Sequence, residues 1–219
     1  MPRTADAAVV FAAAPLRLTA RLRARLAELH QPYVVAADAG AATALAFGLQ
    51  PDVVVGDLDS ISAAVLAELR LHGVQIETHP RDKDATDGQL AIERALLVRP
   101  TCLWLLGFLG GPRLDQALAS VFLLSQLRSP AVLMDERNEC LLLLSGGEHA
   151  WAPEANEVIS LLALSADVTG VRTEGLRWPL DGERLELGAT RGVSNEPNAS
   201  PVRVSIERGQ LLITRHFAD

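Results

Sequence analysis

From residue 8 to residue 134 the chain alternates short apolar runs with stretches of helical period, and nothing else in it constrains the fold as much. Residues 9–13 suit a buried strand. Leu18, Leu22, Leu26 and Leu29 then recur at helical spacing, with Arg and Glu between them. The next strand is residues 33–37 and stops at Asp38; residues 41–47 make a short helix that Gly48 ends. Residues 53–55 form a strand that runs into Gly56-Asp57-Leu58-Asp59-Ser60, and Ser62 caps a helix over 63–72. Residues 74–77 are a strand, and 80–85 a charged loop. Thr86 and Gln89 fit a capping box for a helix through Leu97. A strand at 101–106, a loop at 107–113, a helix at 114–127 and a strand at 131–134 close the series. Such alternation implies right-handed crossovers and a mostly parallel sheet with helices on both faces.

Beyond residue 135 the pattern changes. Short strands are expected at 158–164, 168–172, 185–187, 202–206 and 211–214, separated by Gly, Pro and Asn, with no strong helix. Val202, Val204 and Ile206 alternate with Arg203 and Ser205, the mark of a half-buried strand, and Arg208-Gly209 reads as a hairpin turn. The expected organisation is an α/β domain over 1–145 and a smaller all-β domain over 146–219. The second is near the lower size limit for independent stability, so it is expected to pack on something.

With 49% hydrophobic and 21% charged residues the chain is globular and can bury a core without disulfides. Twenty Lys+Arg against 27 Asp+Glu give a net charge of −7, which argues against nucleic acid or an anionic membrane as partner. Cys102 and Cys140 sit in apolar runs and read as free thiols of a reducing compartment. No CxxC or HxxxH supports structural zinc. No apolar run reaches the roughly 18 residues of a membrane span. Residues 7–15 read as a first strand and not a signal peptide, because Asp6 spoils a basic leader. The expected location is cytoplasmic.

Ligands of an open parallel sheet bind outside the carboxyl ends of its strands. One such end carries Asp38, and the next carries Asp57 and Asp59. The loop before the helix ending at Leu97 holds Asp82, Lys83, Asp84, Thr86 and Asp87. The loop after the following strand holds Gly107, Gly110, Gly111, Arg113 and Asp115. Oxygen donors with few histidines select a hard cation, Mg²⁺ or Ca²⁺, which bridges carboxylates to substrate phosphates. Lys83 and Arg113 complement such phosphates, and the glycines let backbone N–H groups approach.

Each feature also has a plainer reading. A single Asp after a strand is commonly a turn former, and Thr86-Asp87 is a good helix start without any ligand. Two carboxylates two residues apart, straight after an apolar strand, exceed what a turn needs. The five histidines are scattered, and no GxSxG elbow, P-loop or GxGxxG is present. In the second domain Trp178 precedes Pro179, which points to an edge or loop where a ring can stack on a ligand. Ser194-Asn195 is compatible with a mere turn.

Taken in order, these segments resemble the thiamine pyrophosphokinase family. Ala37-Asp38-Ala39-Gly40-Ala41 is similar to its ADGGA segment, and Pro51 to Ser60 to its PDxxxGDxDS motif. Lys83-Asp84-Ala85-Thr86-Asp87 resembles KDxTD, and Gly110 to Asp115 resembles the GGRxD loop. Residues 173–180 resemble TxGLxWxL, and Ser194-Asn195-Glu196 the SNE stretch. The resemblance implies a Rossmann-like α/β domain, a β-sandwich, and transfer of the β,γ-diphosphate of ATP to the hydroxyl of thiamine, giving AMP. It implies Mg²⁺ on Asp38, Asp57, Asp59 and Asp87. It implies nucleotide contacts from Asp38, Gly40, Asp57, Lys83, Thr86, Arg113 and Asp115. Catalytic roles fall to Asp59, Asp87, Lys83 and Arg113, with Asp59 or Asp87 taking the hydroxyl proton. Trp178, Ser194 and Asn195 match thiamine-binding positions, in a homodimer whose active sites are shared between chains. Three residues depart from the pattern: Ala39 for a Gly, Pro112 directly before Arg113, and Gln116 where many members have His. Two rival readings are a diphosphokinase for another heterocycle, such as a hydroxymethylpterin, and a non-catalytic sensor of thiamine or nucleotide.

Overall fold

The computed structural model describes residues 6–218. They fall into two compact units, one of residues up to 120 with 133–136, the other of residues 121–132 with those from 137 onward.

In the first unit five strands run parallel in the order β4-β3-β2-β1-β5. They are β1 (Ala7–Phe11), β2 (Tyr33–Ala37), β3 (Val53–Gly56), β4 (Gln75–Thr78) and β5 (Cys102–Leu106). β1, β2 and β3 are buried along their whole length, as continuous apolar strands in a helix-covered sheet must be. The edge strand β4 is polar and part-exposed, and its Glu77 accepts from Arg94 Nε at 2.6 Å. Such charge discourages pairing with another chain. Side-chain hydroxyls cap the helix starts, Ser62 as expected and Thr19 in addition. Thr19 Oγ1 accepts the Leu22 N–H at 3.2 Å to open α1 (Ala20–Ala27). Ser62 Oγ accepts the Val65 N–H at 3.3 Å to open α3 (Ala63–Leu71). α2 (Gly40–Ala46) follows β2, and α4 (Asp87–Leu96) packs on β1, β2 and β3 through Ala91, Ile92 and Ala95.

Where the chain passes between the units lie α5 (Leu114–Leu124) and β6 (Ala131–Met134). The helix expected over 114–127 stops at Leu124, because Ser125, Gln126 and Leu127 each donate to the carbonyl three residues back. The tightened turns replace the last α-helical one.

The second unit is a sandwich of two antiparallel sheets. One has the order β7-β13-β9, from β7 (Asn138–Leu144), β9 (Val158–Ala163) and β13 (Gln210–His216). The other has the order β11-β10-β12-β8, from β8 (Glu148–Trp151), β10 (Asp167–Glu174), β11 (Asp181–Glu186) and β12 (Val202–Ser205). β10 and β11 lie against β13 and β9. Ile159, Leu161, Val168, Val171, Val204, Leu211 and Ile213 are fully buried between them. Arg215 is buried too, with the Trp151 and Phe217 rings each 5.1 Å away. It bonds to Glu157 at 2.7 and 3.1 Å, so these buried charges are paired.

Three features of this unit differ from the sequence expectation. β7 precedes residue 146 yet pairs with β13 along its whole length, Asn138 with His216 through Leu144 with Gln210. Its leucine run lacks the alternation that marks a half-buried strand. β8 is likewise absent from the expected strands. Finally, Arg208-Gly209 is not a hairpin turn: β12 and β13 belong to different sheets, and this turn carries the chain from one to the other.

Candidate active site

The acidic edge of the first unit is built by one close backbone approach. Asp38, just past β2, has a φ of 45° and donates its N–H to the Val55 carbonyl at 3.1 Å. Its carboxylate lodges against Gly56, where a Cβ would lie 2.1 Å from Asp38 Oδ1. Only glycine, with a φ of 149° there, leaves room. Asp38 Oδ1 accepts the Leu58 N–H at 3.0 Å, and Asp57 Oδ1 accepts the Asp59 N–H at 3.1 Å. Ser60 Oγ accepts the Ala39 N–H at 3.2 Å. The Gly56-Asp57-Leu58-Asp59-Ser60 loop is therefore stitched to the end of β2.

Burial pushes the Asp38 carboxyl up to about 6. The Leu58 N–H opposes the rise, and the nearby charges of Asp87 and Asp57 add to it. Asp57 is held below the ordinary carboxylate range, first by the Asp59 N–H and further by the charges of Lys83 and Arg81. Asp87 opens α4, where the helix N-terminus favours a carboxylate. Thr86 Oγ1 accepts the Gln89 N–H at 3.2 Å, but Gln89 turns its amide to Glu93 at 2.9 Å and leaves the expected capping box half made. Lys83 Nζ lies 3.0 Å from Asp87 Oδ1 and donates to the Pro80 carbonyl at 2.9 Å. Beyond that ion pair, Asp87 Oδ1 is buried without a hydrogen bond.

The structure thus brings Asp38, Asp57, Asp87 and Lys83 into one electrostatic group. Asp59 turns outward, 58% exposed, with Arg81 Nη1 3.9 Å away. Arg81 escaped the sequence reading, although it belongs to the same charged loop as Lys83. Arg113 and Asp115 make their own exposed pair at 2.8 and 2.5 Å, which holds Asp115 down at about 2 and Arg113 up. Gly40 has a packing reason of its own: a Cβ there would come within 2.3 Å of the Phe11 carbonyl oxygen. Ala39 takes an ordinary right-handed φ of −56°, so the departure from the glycine pattern is unstrained.

Among the described residues no three acidic, His or Cys side chains gather closely enough to enclose a metal ion. Mg²⁺ needs only one or two carboxylates when phosphates and water complete its shell. A buried carboxylate oxygen whose one partner is the Lys83 ammonium, beside a second carboxyl disfavoured as an anion, is a donor set that suits such a cation.

Asp38 also gives a stability prediction. A carboxyl held above its ordinary value binds its proton more tightly in the folded chain. Its ionisation therefore costs nothing below about pH 4, and the cost grows to its full size above about pH 6. Without metal, Asp38→Asn keeps the acceptor for Leu58 and removes the charge. It should raise the unfolding free energy at pH 8, by at most about 3 kcal/mol, and Tm with it, and leave both unchanged at pH 4. Thermal melts at the two pH values check this.

In the second unit Trp178 is 52% exposed, in the loop after β10. Asn195, by contrast, is buried: Oδ1 accepts the N–H groups of Trp178 at 3.2 Å and Glu196 at 2.9 Å, and Nδ2 donates to the Trp178 carbonyl at 2.7 Å. The Asn195 amide spans the tryptophan's backbone and holds that stretch of the loop. Ser194 has a φ of 60° and donates its N–H to Ser160 Oγ at 3.0 Å.

Carboxylates and a lysine on the carboxyl edge of a parallel sheet are parts that the class of phosphoryl-transfer enzymes uses. Comparison with known proteins narrows that class. The family model for the catalytic domain of thiamin pyrophosphokinase matches residues 25–134, and that for its vitamin B1 binding domain matches residues 150–211. A thiamine pyrophosphokinase of Bacillus subtilis is 28% identical over 184 residues, 83% of this chain and 86% of that one. The crystal structure of a thiamine pyrophosphokinase from that species superposes with a TM-score of 0.82 at 25% identity, over 97% of this chain and all of the other. One from Geobacillus thermodenitrificans gives 0.80 at 25% identity, over 97% and 98%. The chain belongs to the thiamin pyrophosphokinase family. It is an ATP-dependent diphosphotransferase that forms thiamine diphosphate.

Proposed function

We propose that the chain moves the β,γ-diphosphoryl group of ATP to the hydroxyl of thiamine, releasing AMP, with Mg²⁺ at the acidic edge of the first unit. The grouping of Asp57 and Asp87 about the buried Asp38 carboxyl, with Lys83 paired to Asp87 at 3.0 Å, carries this reading. These three, with Asp59, would hold the cation, which supplies charge neutralisation across the bridging phosphate oxygens. Lys83 and Arg113 take up phosphate charge; for Arg113 this means leaving Asp115. Gly40 and Thr86 border the nucleotide. The hydroxyl attacks the β-phosphorus in line, its proton passes to Asp87 or Asp59, and AMP departs. Incubation with ATP, Mg²⁺ and thiamine should yield AMP and thiamine diphosphate in equal amounts. ADP as the nucleotide product would overturn diphosphoryl transfer.

Thiamine is read onto Trp178, Ser194 and Asn195 of the second unit. An indole face attracts a cationic ring such as thiazolium. Trp178→Ala should raise the thiamine KM about two- to thirtyfold and leave the ATP KM unchanged. Steady-state kinetics with each substrate varied in turn decides it, and equal loss for both substrates would return Trp178 to a purely structural role. The assembly we propose is a homodimer with active sites shared between chains. The cytoplasmic placement rests on Cys102 and Cys140, neither in a disulfide, the former with its thiol pushed up to about 11 by burial. Among the described residues no helix is long and apolar enough to cross a membrane.

A further inference from the structure

Trp178 carries a cation of its own. The Arg177 guanidinium carbon lies 4.7 Å from the indole centroid, and Arg177 Nη1 is bonded to Glu196 Oε2 at 2.8 Å. The same two residues are joined through the backbone, the Arg177 N–H donating to the Glu196 carbonyl at 2.8 Å. With the Asn195 amide spanning Trp178, the loop is held without the Arg177 and Glu196 side chains. Those side chains are 58% and 53% exposed, where an ion pair adds little stability. Their effect falls on the indole, with one face under the guanidinium.

That arrangement has an electrostatic consequence. A cation on one face of an indole competes for the negative quadrupole that a second cation would use on the other. An uncompensated guanidinium would therefore weaken stacking of a positively charged ring. Glu196 cancels that charge at 2.8 Å. We propose that Arg177 and Glu196 are a positioning pair for a cationic aromatic substrate. Arg177 fixes the Trp178 ring with one face free, and Glu196 keeps that face receptive to positive charge. The inference rests on the reading of Trp178 as the thiamine contact.

The test combines kinetics with tryptophan fluorescence. Of three tryptophans, Trp104 and Trp151 are buried, so acrylamide quenching reports chiefly on Trp178. Glu196→Gln should raise the thiamine KM about three- to tenfold at low salt, with kcat and the ATP KM within about twofold. High salt should shrink the rise, because the exposed guanidinium is then screened. Arg177→Gln should increase acrylamide quenching and raise the thiamine KM without salt dependence. Arg177→Lys should recover only part, since an ammonium restores charge but not planar stacking. In the double variant Arg177→Gln/Glu196→Gln the salt dependence should vanish, because no guanidinium is left to neutralise. An unmoved thiamine KM in both single variants, alongside a raised one in Trp178→Ala, overturns the positioning role and leaves the thiamine site standing. An unmoved thiamine KM in Trp178→Ala overturns the underlying reading and the inference with it. A fall in kcat and Tm with both KM values altered alike makes the pair a fold element and overturns the proposal.

Discussion

Asp57→Asn should lower kcat by about 10²–10³-fold or more while the protein stays folded, the loss expected when one preorganised charge is removed from a reaction governed by electrostatics. The fold should survive because the amide keeps the structural bond of this side chain: Oδ1 accepts the Asp59 N–H, and an Asn Oδ1 accepts it equally well. Charge is the property lost, and charge is what the proposed site uses. Asp87→Asn should behave alike, with one added sign: Lys83, at 3.0 Å, loses its ion-pair partner. Asp59→Asn is the informative companion. Its carboxylate points outward toward Arg81, so a loss equal to that of Asp57→Asn places Asp59 in the chemistry, and wild-type turnover confines it to the loop. Single-turnover rates at saturating Mg²⁺, with melting temperatures measured in parallel, distinguish these results. Near wild-type turnover in Asp57→Asn would remove that carboxylate from the catalytic edge.

How much of this was legible in the residues depends on the range of the interaction. Strands and helices of the first unit follow from local periodicity, and Ser62 and Thr86 cap the helices expected of them because capping is decided within four residues. β7 was missed because a strand buried along its length has no alternation to read, and its partner β13 lies about 70 residues on. Arg208-Gly209 misled for a related reason. A turn signal states that the chain reverses, and says nothing about which sheet it enters. In the site, the acidic residues were visible as types, but their division was not. Asp38 differs from Asp59 because Gly56 lets a carboxylate settle against the backbone, a contact between the ends of two strands. For Asn195 the residues suggest a ligand contact, and the structure adds a bond they do not reveal, its amide spanning the Trp178 backbone 17 residues away. Arg81 and the Arg177–Glu196 pair likewise gain meaning only from what they stand beside.

The proposed shared active site has the most decisive consequence. Asp57→Asn disables the first unit, and Trp178→Arg puts a like charge where a cationic ring is read to stack, disabling the second. Each homodimer should be nearly inactive at low thiamine. Co-expressed and paired at random, about half the dimers are mixed. If each site joins the first unit of one chain to the second unit of its twofold mate, a mixed dimer has one site with both lesions and one with neither. About a quarter of all sites are then intact, and the mixture should recover about a quarter of wild-type activity. If every site were confined to one chain, each would keep a lesion and nothing would return. Differently tagged chains, purified in tandem to isolate mixed dimers, sharpen the contrast to about half of wild-type activity against almost none. Inactivity of the isolated mixed dimer would confine each site to a single chain, and a monomer in sedimentation would remove the twofold mate altogether.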